Sequence, residues 1–159
     1  MFNGNNPGNV NLHQNFMFQA LKLAELAYKK GEVPVGAVVV YQERIIGKGY
    51  NQVEMLKDST AHAEMLAISA ACATLQNKYL KDCTLYVTLE PCPMCSGAVV
   101  WSKISRVVFG AMDDKSGGCG TIFNISANKK LNHQAEIIQG VMEADSRFLL
   151  QKFFSEKRP

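Results

Sequence analysis

Charge is scarce in this sequence, and so are proline and tryptophan. Charged residues make up 19% of the chain and leave a net charge of +3. A balance that small permits an anionic partner such as RNA without requiring one. The first residues, Met1 to Asn9, lack a basic stretch followed by an apolar one, so no secretory leader is expected. No apolar run approaches the length that crosses a bilayer, so no membrane association is expected. Cysteine is too sparse and too irregular for a disulfide framework: there are five, an odd number. Cys72, Cys83 and Cys119 read as buried or loop thiols in a reducing compartment, and the cytoplasm is the expected location. There are no internal repeats and no linker that would divide the chain.

What is present is ordinary globular composition, 47% apolar over 159 residues, enough for one domain with a proper core. Residues 1–11 are expected to fray and residues 12–159 to form that single domain. An apolar stripe through Phe16, Ala20, Leu21, Leu23, Ala24 and Ala27 predicts a helix closed by Gly31. Val35–Tyr41 and Arg44–Tyr50 predict two strands joined by a tight turn at Gln42-Glu43. A polar loop, Asn51 to Thr60, leads to a helix over about Ala61–Gln76. A strand at Thr84–Leu89 is followed by a helix at Pro93–Ser102, a strand at Arg106–Gly110 and a Gly-rich loop through Gly120. A short strand near Glu136–Gly140 and a helix near Glu143–Ser155 complete the chain. Strands alternating with helices predict an α/β fold, a three-layer α/β/α arrangement around a mixed five-stranded sheet.

The stretch Leu85-Tyr-Val-Thr-Leu-Glu-Pro-Cys-Pro-Met-Cys95 organises the rest. A buried strand ends at Glu90-Pro91, and Cys92 and Cys95 stand where a helix begins. Residues three apart share a helix face, so both sulfurs can reach one point. A helix N-terminus favours thiolate, and two thiolates make half a tetrahedral zinc site. His62, in Thr60-Ala-His-Ala-Glu64, starts another helix and suits zinc as a neutral imidazole. One imidazole and two thiolates leave a fourth position for water, the mark of a catalytic centre. Glu64, two residues from His62, points elsewhere than the ligand and is suited to moving a proton rather than holding metal. Alternatives remain at this point. Cys92-Pro-Met-Cys95 alone also fits a redox pair, and a closed structural zinc site would need Cys83, Cys119 or His133 as a fourth ligand. His13 and His133 are expected at the surface. Trp101 is expected to fill a core or an interface.

His-x-Glu followed by Pro-Cys-x-x-Cys matches the signature of zinc deaminases. The chain resembles the cytidine/deoxycytidylate deaminase superfamily and, more narrowly, its tRNA-specific adenosine deaminases. The similarity runs from about Phe16 to Phe154. It includes Glu32-Val-Pro-Val-Gly-Ala37, Asn51, Thr60-Ala-His-Ala-Glu64, Leu85-Tyr-Val-Thr-Leu-Glu-Pro-Cys92, Arg106-Val-Val-Phe-Gly110, Asp113, Asn132-His133 and Phe153-Phe154. The resemblance implies hydrolytic conversion of adenosine to inosine at the wobble position of a tRNA anticodon loop, by a homodimer with one zinc ion per subunit. It implies zinc held by His62, Cys92 and Cys95, with Glu64 shuttling protons while a zinc-bound hydroxide attacks C6. It also implies that Asn51 contacts the base and that the loop around Asp113 holds the flipped nucleotide. The sequence departs from many relatives in having Trp101-Ser102-Lys103 where they have His-Ser-Arg, and Gln134 where they often have Arg. Cys-Pro-Met-Cys occurs in guanine deaminases of the superfamily too, and the weak basic signature motivates the alternative reading, deamination of a free base or nucleoside, guanine or cytosine.

Overall fold

The runs of Val, Leu and Ile become strands because both of their faces are covered. In the computed structural model, which describes residues 7–157 and side chains from Leu12 onward, Val38, Val39, Leu85, Val87, Val107 and Val108 are fully buried. The elements in order are α1 (Pro7–Lys29), β1 (Gly36–Tyr41), β2 (Arg44–Tyr50), α2 (Val53–Leu56) and α3 (Ala63–Leu75). They continue with β3 (Cys83–Leu89), α4 (Pro93–Ser102), β4 (Arg106–Ala111), β5 (Glu136–Ile138) and α5 (Glu143–Lys157). The strands form one five-stranded sheet in the order β2-β1-β3-β4-β5. β1 pairs antiparallel with β2 and with β3, whereas β3-β4 and β4-β5 are parallel. The mixed sheet and flanking helices are those expected from the sequence.

Alternate residues of each strand serve opposite layers. Val38, Val40, Tyr86 and Val108 pack with Met17 and Ala20 of α1. Val39, Leu85, Val87 and Val107 pack instead with Ala67 and Ala71 of α3 and Val99 of α4. Helix α3 lies close on the sheet because β2 offers it glycine: a Cβ at Gly49 would fall 2.3 Å from the carbonyl oxygen of Ala63. That contact fixes the first turn of α3, and with it His62 and Glu64.

Local boundaries depart from expectation in informative ways. Helix α1 begins at Pro7 rather than near Leu12, with proline's fixed φ and missing N–H suited to a first turn. Of the segment expected to fray, residues 1–6 lie outside the described residues. Gln42 and Glu43 both have positive φ (49° and 62°), so the hairpin adopts a turn that usually selects Asn-Gly. His13 is buried, not at the surface, with Nδ1 2.7 Å from the Tyr86 hydroxyl. Burial is the main reason its pKa is lowered. Trp101 is 82% exposed and fills no core.

Candidate active site

Two helix N-termini meet beyond the end of β3. His62 is the N-cap of α3, and Cys92 is the N-cap of α4 with Pro93 opening the first turn. Cys95 lies within that first turn, fully buried. The His62 Nδ1 atom is 3.6 Å from Cys92 Sγ and 3.6 Å from Cys95 Sγ. For tetrahedral zinc with ordinary Zn–N and Zn–S bonds, the nitrogen-to-sulfur separation is about 3.5 Å. The trio therefore fits the metal. Among the described residues no further His, Cys, Asp or Glu joins this group, whose ligand atoms lie within 4.8 Å of one another. Cys119 instead approaches the hydroxyls of Ser96 and Ser126 at 3.5 Å, and His133 Nε2 lies 2.6 Å from the Ile104 carbonyl. The arrangement is three-sided, which leaves the structural-zinc alternative without its fourth ligand.

The electrostatics of the trio suit ligation. Cys92 has its pKa lowered to about 4, chiefly by the hydrogen bond from Cys95 and then by His62. Cys95 is shifted upward, because it keeps the proton it shares with Cys92 and because it is buried. His62 is raised, first by its hydrogen bond with Cys92. A metal ion held there would displace the shared proton, since cysteine ligates as thiolate.

Glu64, the second residue of α3, is buried at 4% exposure. Burial raises its pKa to about 7; its own backbone N–H and the nearby His62 oppose the shift, while Cys92 adds to it. A cavity of about 640 Å³ opens in front of these groups. His62, Glu64, Cys92, Asn51 and Asp113 all line it, with Leu89, Phe153, Phe154 and Lys157. Cys95 sits beneath, out of the lining.

Asn51 and Asp113 each hold backbone as well as facing the cavity. The Asn51 carbonyl oxygen accepts the Ala63 N–H at 2.8 Å, capping α3 from outside, and its amide donates to the Val33 carbonyl at 3.1 Å. The Asp113 carboxylate accepts the N–H groups of Lys115 and Ser116, at 3.0 and 3.2 Å, and the Ser116 hydroxyl at 2.9 Å. Asn51 keeps one amide hydrogen and one lone pair for a ligand.

Sequence reasoning passed over two further acids in the lining, Glu32 and Glu90. Both are buried at 2% exposure. Glu32 accepts the N–H groups of Glu54 and Met55, at 2.9 and 2.8 Å, and so builds the α2 turn inside what reads as plain loop. Glu90 accepts backbone N–H groups from Asp113, Cys119 and Thr121. An acid inside an otherwise apolar strand end, with Gly117-Gly118 downstream, is the only sequence signal for it.

Comparison with known proteins agrees with this geometry. Residues 10–111 match the family model for the cytidine and deoxycytidylate deaminase zinc-binding region. The chain is 50% identical over 143 residues to the tRNA-specific adenosine deaminase of Bacillus subtilis (strain 168), covering 90% of this chain and 89% of that one. It is 52% identical to the tRNA-specific adenosine deaminase of Aquifex aeolicus (strain VF5), covering 90% and 94%. A solved structure from work on A-to-I editing by tRNA:A34 deaminases at the wobble position superimposes with a TM-score of 0.82 at 38% identity, covering 86% of this chain and 99% of that one. A guanine deaminase from Nitrosomonas europaea superimposes with a TM-score of 0.78 at 25% identity, covering 98% and 96%.

Proposed function

The chain belongs to the cytidine and deoxycytidylate deaminase family, and from that premise we propose that it converts adenosine to inosine at the wobble position of tRNA. The observation that carries the reading is Glu64, buried at the mouth of α3 beside His62, Cys92 and Cys95, facing a cavity that Asn51 and Asp113 also line. His62, Cys92 and Cys95 hold one zinc ion per subunit. When bound, that ion activates water for attack on a ring carbon and leaves no net charge on the three ligands and metal together.

Glu64 carries the protons. Its carboxyl is buried and poorly solvated, which favours passing a proton on over keeping a fixed charge. It takes one from the attacking water and delivers it to ring N1, while the oxygen bonds to C6. It then passes the remaining water proton to the exocyclic nitrogen as the C6–N bond breaks. Adenosine and water thus become inosine and ammonia. The remaining amide hydrogen and lone pair of Asn51 orient the base. The loop carrying Asp113 holds the flipped nucleotide.

RNA is favoured over a free base by what adjoins the cavity. A second cavity of about 630 Å³ shares Phe154 and Lys157 with the first and is also lined by Met112, Lys115 and Arg147. Cations beside an exposed aromatic ring suit phosphates and stacked bases of a single-stranded loop. The likeness to a guanine deaminase supports a second reading, deamination of free guanine or cytosine. The zinc-loaded protein is tested on an RNA hairpin with adenosine at the wobble position. Inosine and ammonia are expected in equal amounts. Ammonia from free guanine or cytosine without inosine would overturn the RNA reading.

The working unit is a homodimer. Trp101 stands 82% exposed on α4, beside a cavity lined by Tyr79, Val100 and Leu131, and so large an apolar side chain is costly to leave in water. Sedimentation of the zinc-loaded protein is expected to give a dimer, and Trp101→Glu a monomer; a wild-type monomer would refute it. Its place is the cytoplasm, where tRNA is available and cysteines outside disulfides persist. Among the described residues, no helix is long and apolar enough to cross a membrane.

A further inference from the structure

We infer that Glu90 is a positioning residue: its buried carboxylate holds the loop over residues 112–121 in the form that receives the substrate nucleotide. The inference rests on the cavity being a nucleotide site, as proposed above. Glu90 Oε1 accepts the Asp113 N–H at 3.1 Å and the Thr121 hydroxyl. Its Oε2 accepts the N–H groups of Cys119 at 3.0 Å and Thr121 at 3.1 Å. A carboxylate offers about four lone-pair sites, and here four donors use them. One side chain therefore ties down both ends of a loop that has no helix or sheet ladder of its own.

The loop is shaped around this group. A Cβ at Gly117 would lie 2.5 Å from the Glu90 carboxyl carbon, and one at Gly118 would lie 2.4 Å from Ser96 Oγ. Gly118 N–H donates to the Pro91 carbonyl at 2.7 Å, so the loop also lies along the segment between Glu90 and Cys92. Asp113 and Ser116, which reach the substrate cavity, are carried on the part of the loop that Glu90 fixes. Glu90, which lies outside the His62-Cys92-Cys95 group, thereby helps set the recognition wall relative to the metal-binding turn.

Glu90→Gln tests the inference, because the amide halves the acceptor sites and turns two N–H donors toward the loop's own donors. Loss of charge-assisted hydrogen bonds predicts amide exchange faster by about tenfold or more at Asp113, Cys119 and Thr121, and a KM for the hairpin raised by about tenfold. One zinc per chain is expected to remain, and kcat is expected to fall by less than KM rises. Unchanged exchange at the three amides overturns the clamp, and faster exchange with unchanged KM overturns its role in positioning. Should Glu90→Gln fail to fold, Thr121→Val removes a single donor; it is expected to raise KM by about threefold and speed exchange at Thr121, and no change in either overturns the inference. If the wild-type protein makes no inosine from the hairpin, the RNA reading fails and the exchange rates alone decide whether Glu90 clamps the loop.

Discussion

Glu64 and Glu90 line one cavity at 4% and 2% exposure, yet their surroundings use them in opposite ways. Four donors converge on Glu90, three from backbone and one hydroxyl. Glu64 is dominated by desolvation, which its own N–H only partly offsets. Burial by itself therefore says little about what an acid does. A carboxylate whose lone pairs are all committed is a structural anchor, while one whose charged form is under-solvated remains chemically responsive. Helix geometry accounts for the difference. Glu64 sits in the first turn of α3, where the neighbouring Ala63 N–H is already taken by Asn51, and it draws on its own backbone N–H and the Cys95 thiol. Glu90 sits at a strand end, with a loop free to wrap around it.

The largest effect that could break this contrast is at Glu64. Replacing it by Ala is expected to lower kcat on the hairpin by a factor of about 10² to 10⁴, the usual range for a general acid–base group. Zinc measured on the same preparation is expected to stay at one per chain, because the ligand trio does not include this carboxylate. Loss of zinc on that change would make Glu64 a ligand, and the division between a reactive and an anchoring acid would have to be redrawn. Glu90→Gln stands next in size, with its effect in KM rather than kcat. A fall confined to kcat there would move Glu90 to the reactive side of the comparison.

The same contrast explains what could be read from the sequence. The convergence of His62, Cys92 and Cys95 was legible because residue type and helix position go together there: two cysteines three apart after a strand, and a histidine opening another helix. Helix α4 runs from Pro93 to Ser102 as expected, since its start is fixed by proline and its end by a change in chain direction at Lys103, with φ 59°. The α2 turn was not legible. Its cap comes from Glu32, 22 residues upstream, and Val53-Glu-Met-Leu56 has no helical stripe of its own. Glu90 was equally hidden, since its donors lie 23 to 31 residues downstream. His13 was read as a surface residue from its polar neighbours Asn11 and Gln14, whereas its partner is Tyr86 on β3. Local periodicity records what faces the core. It does not record which backbone groups a distant side chain will satisfy.

The last prediction sharpens the comparison in the protein stripped of zinc, where stability reports on Glu64 directly. Below about pH 4.5 the carboxyl is protonated in both folded and unfolded chains and adds no pH-dependent cost. As pH rises from 4.5 toward 7 the unfolded chain releases its proton first, so folding loses stability. Above the folded pKa of about 7 both states are ionised and the full cost remains. A shift of this size corresponds to about 3 kcal/mol. Glu64→Gln removes the titration while keeping the shape. Its stability relative to the wild-type apoprotein is therefore expected to climb between pH 4.5 and 7 and to level off above. Cys92 and His62 titrate in both proteins, so taking the difference between the two largely removes their contributions. Urea denaturation of both apoproteins across that range gives the curve. A flat difference would mean that the Glu64 carboxylate finds solvation in the folded state, and that its burial does not set it apart from Glu90.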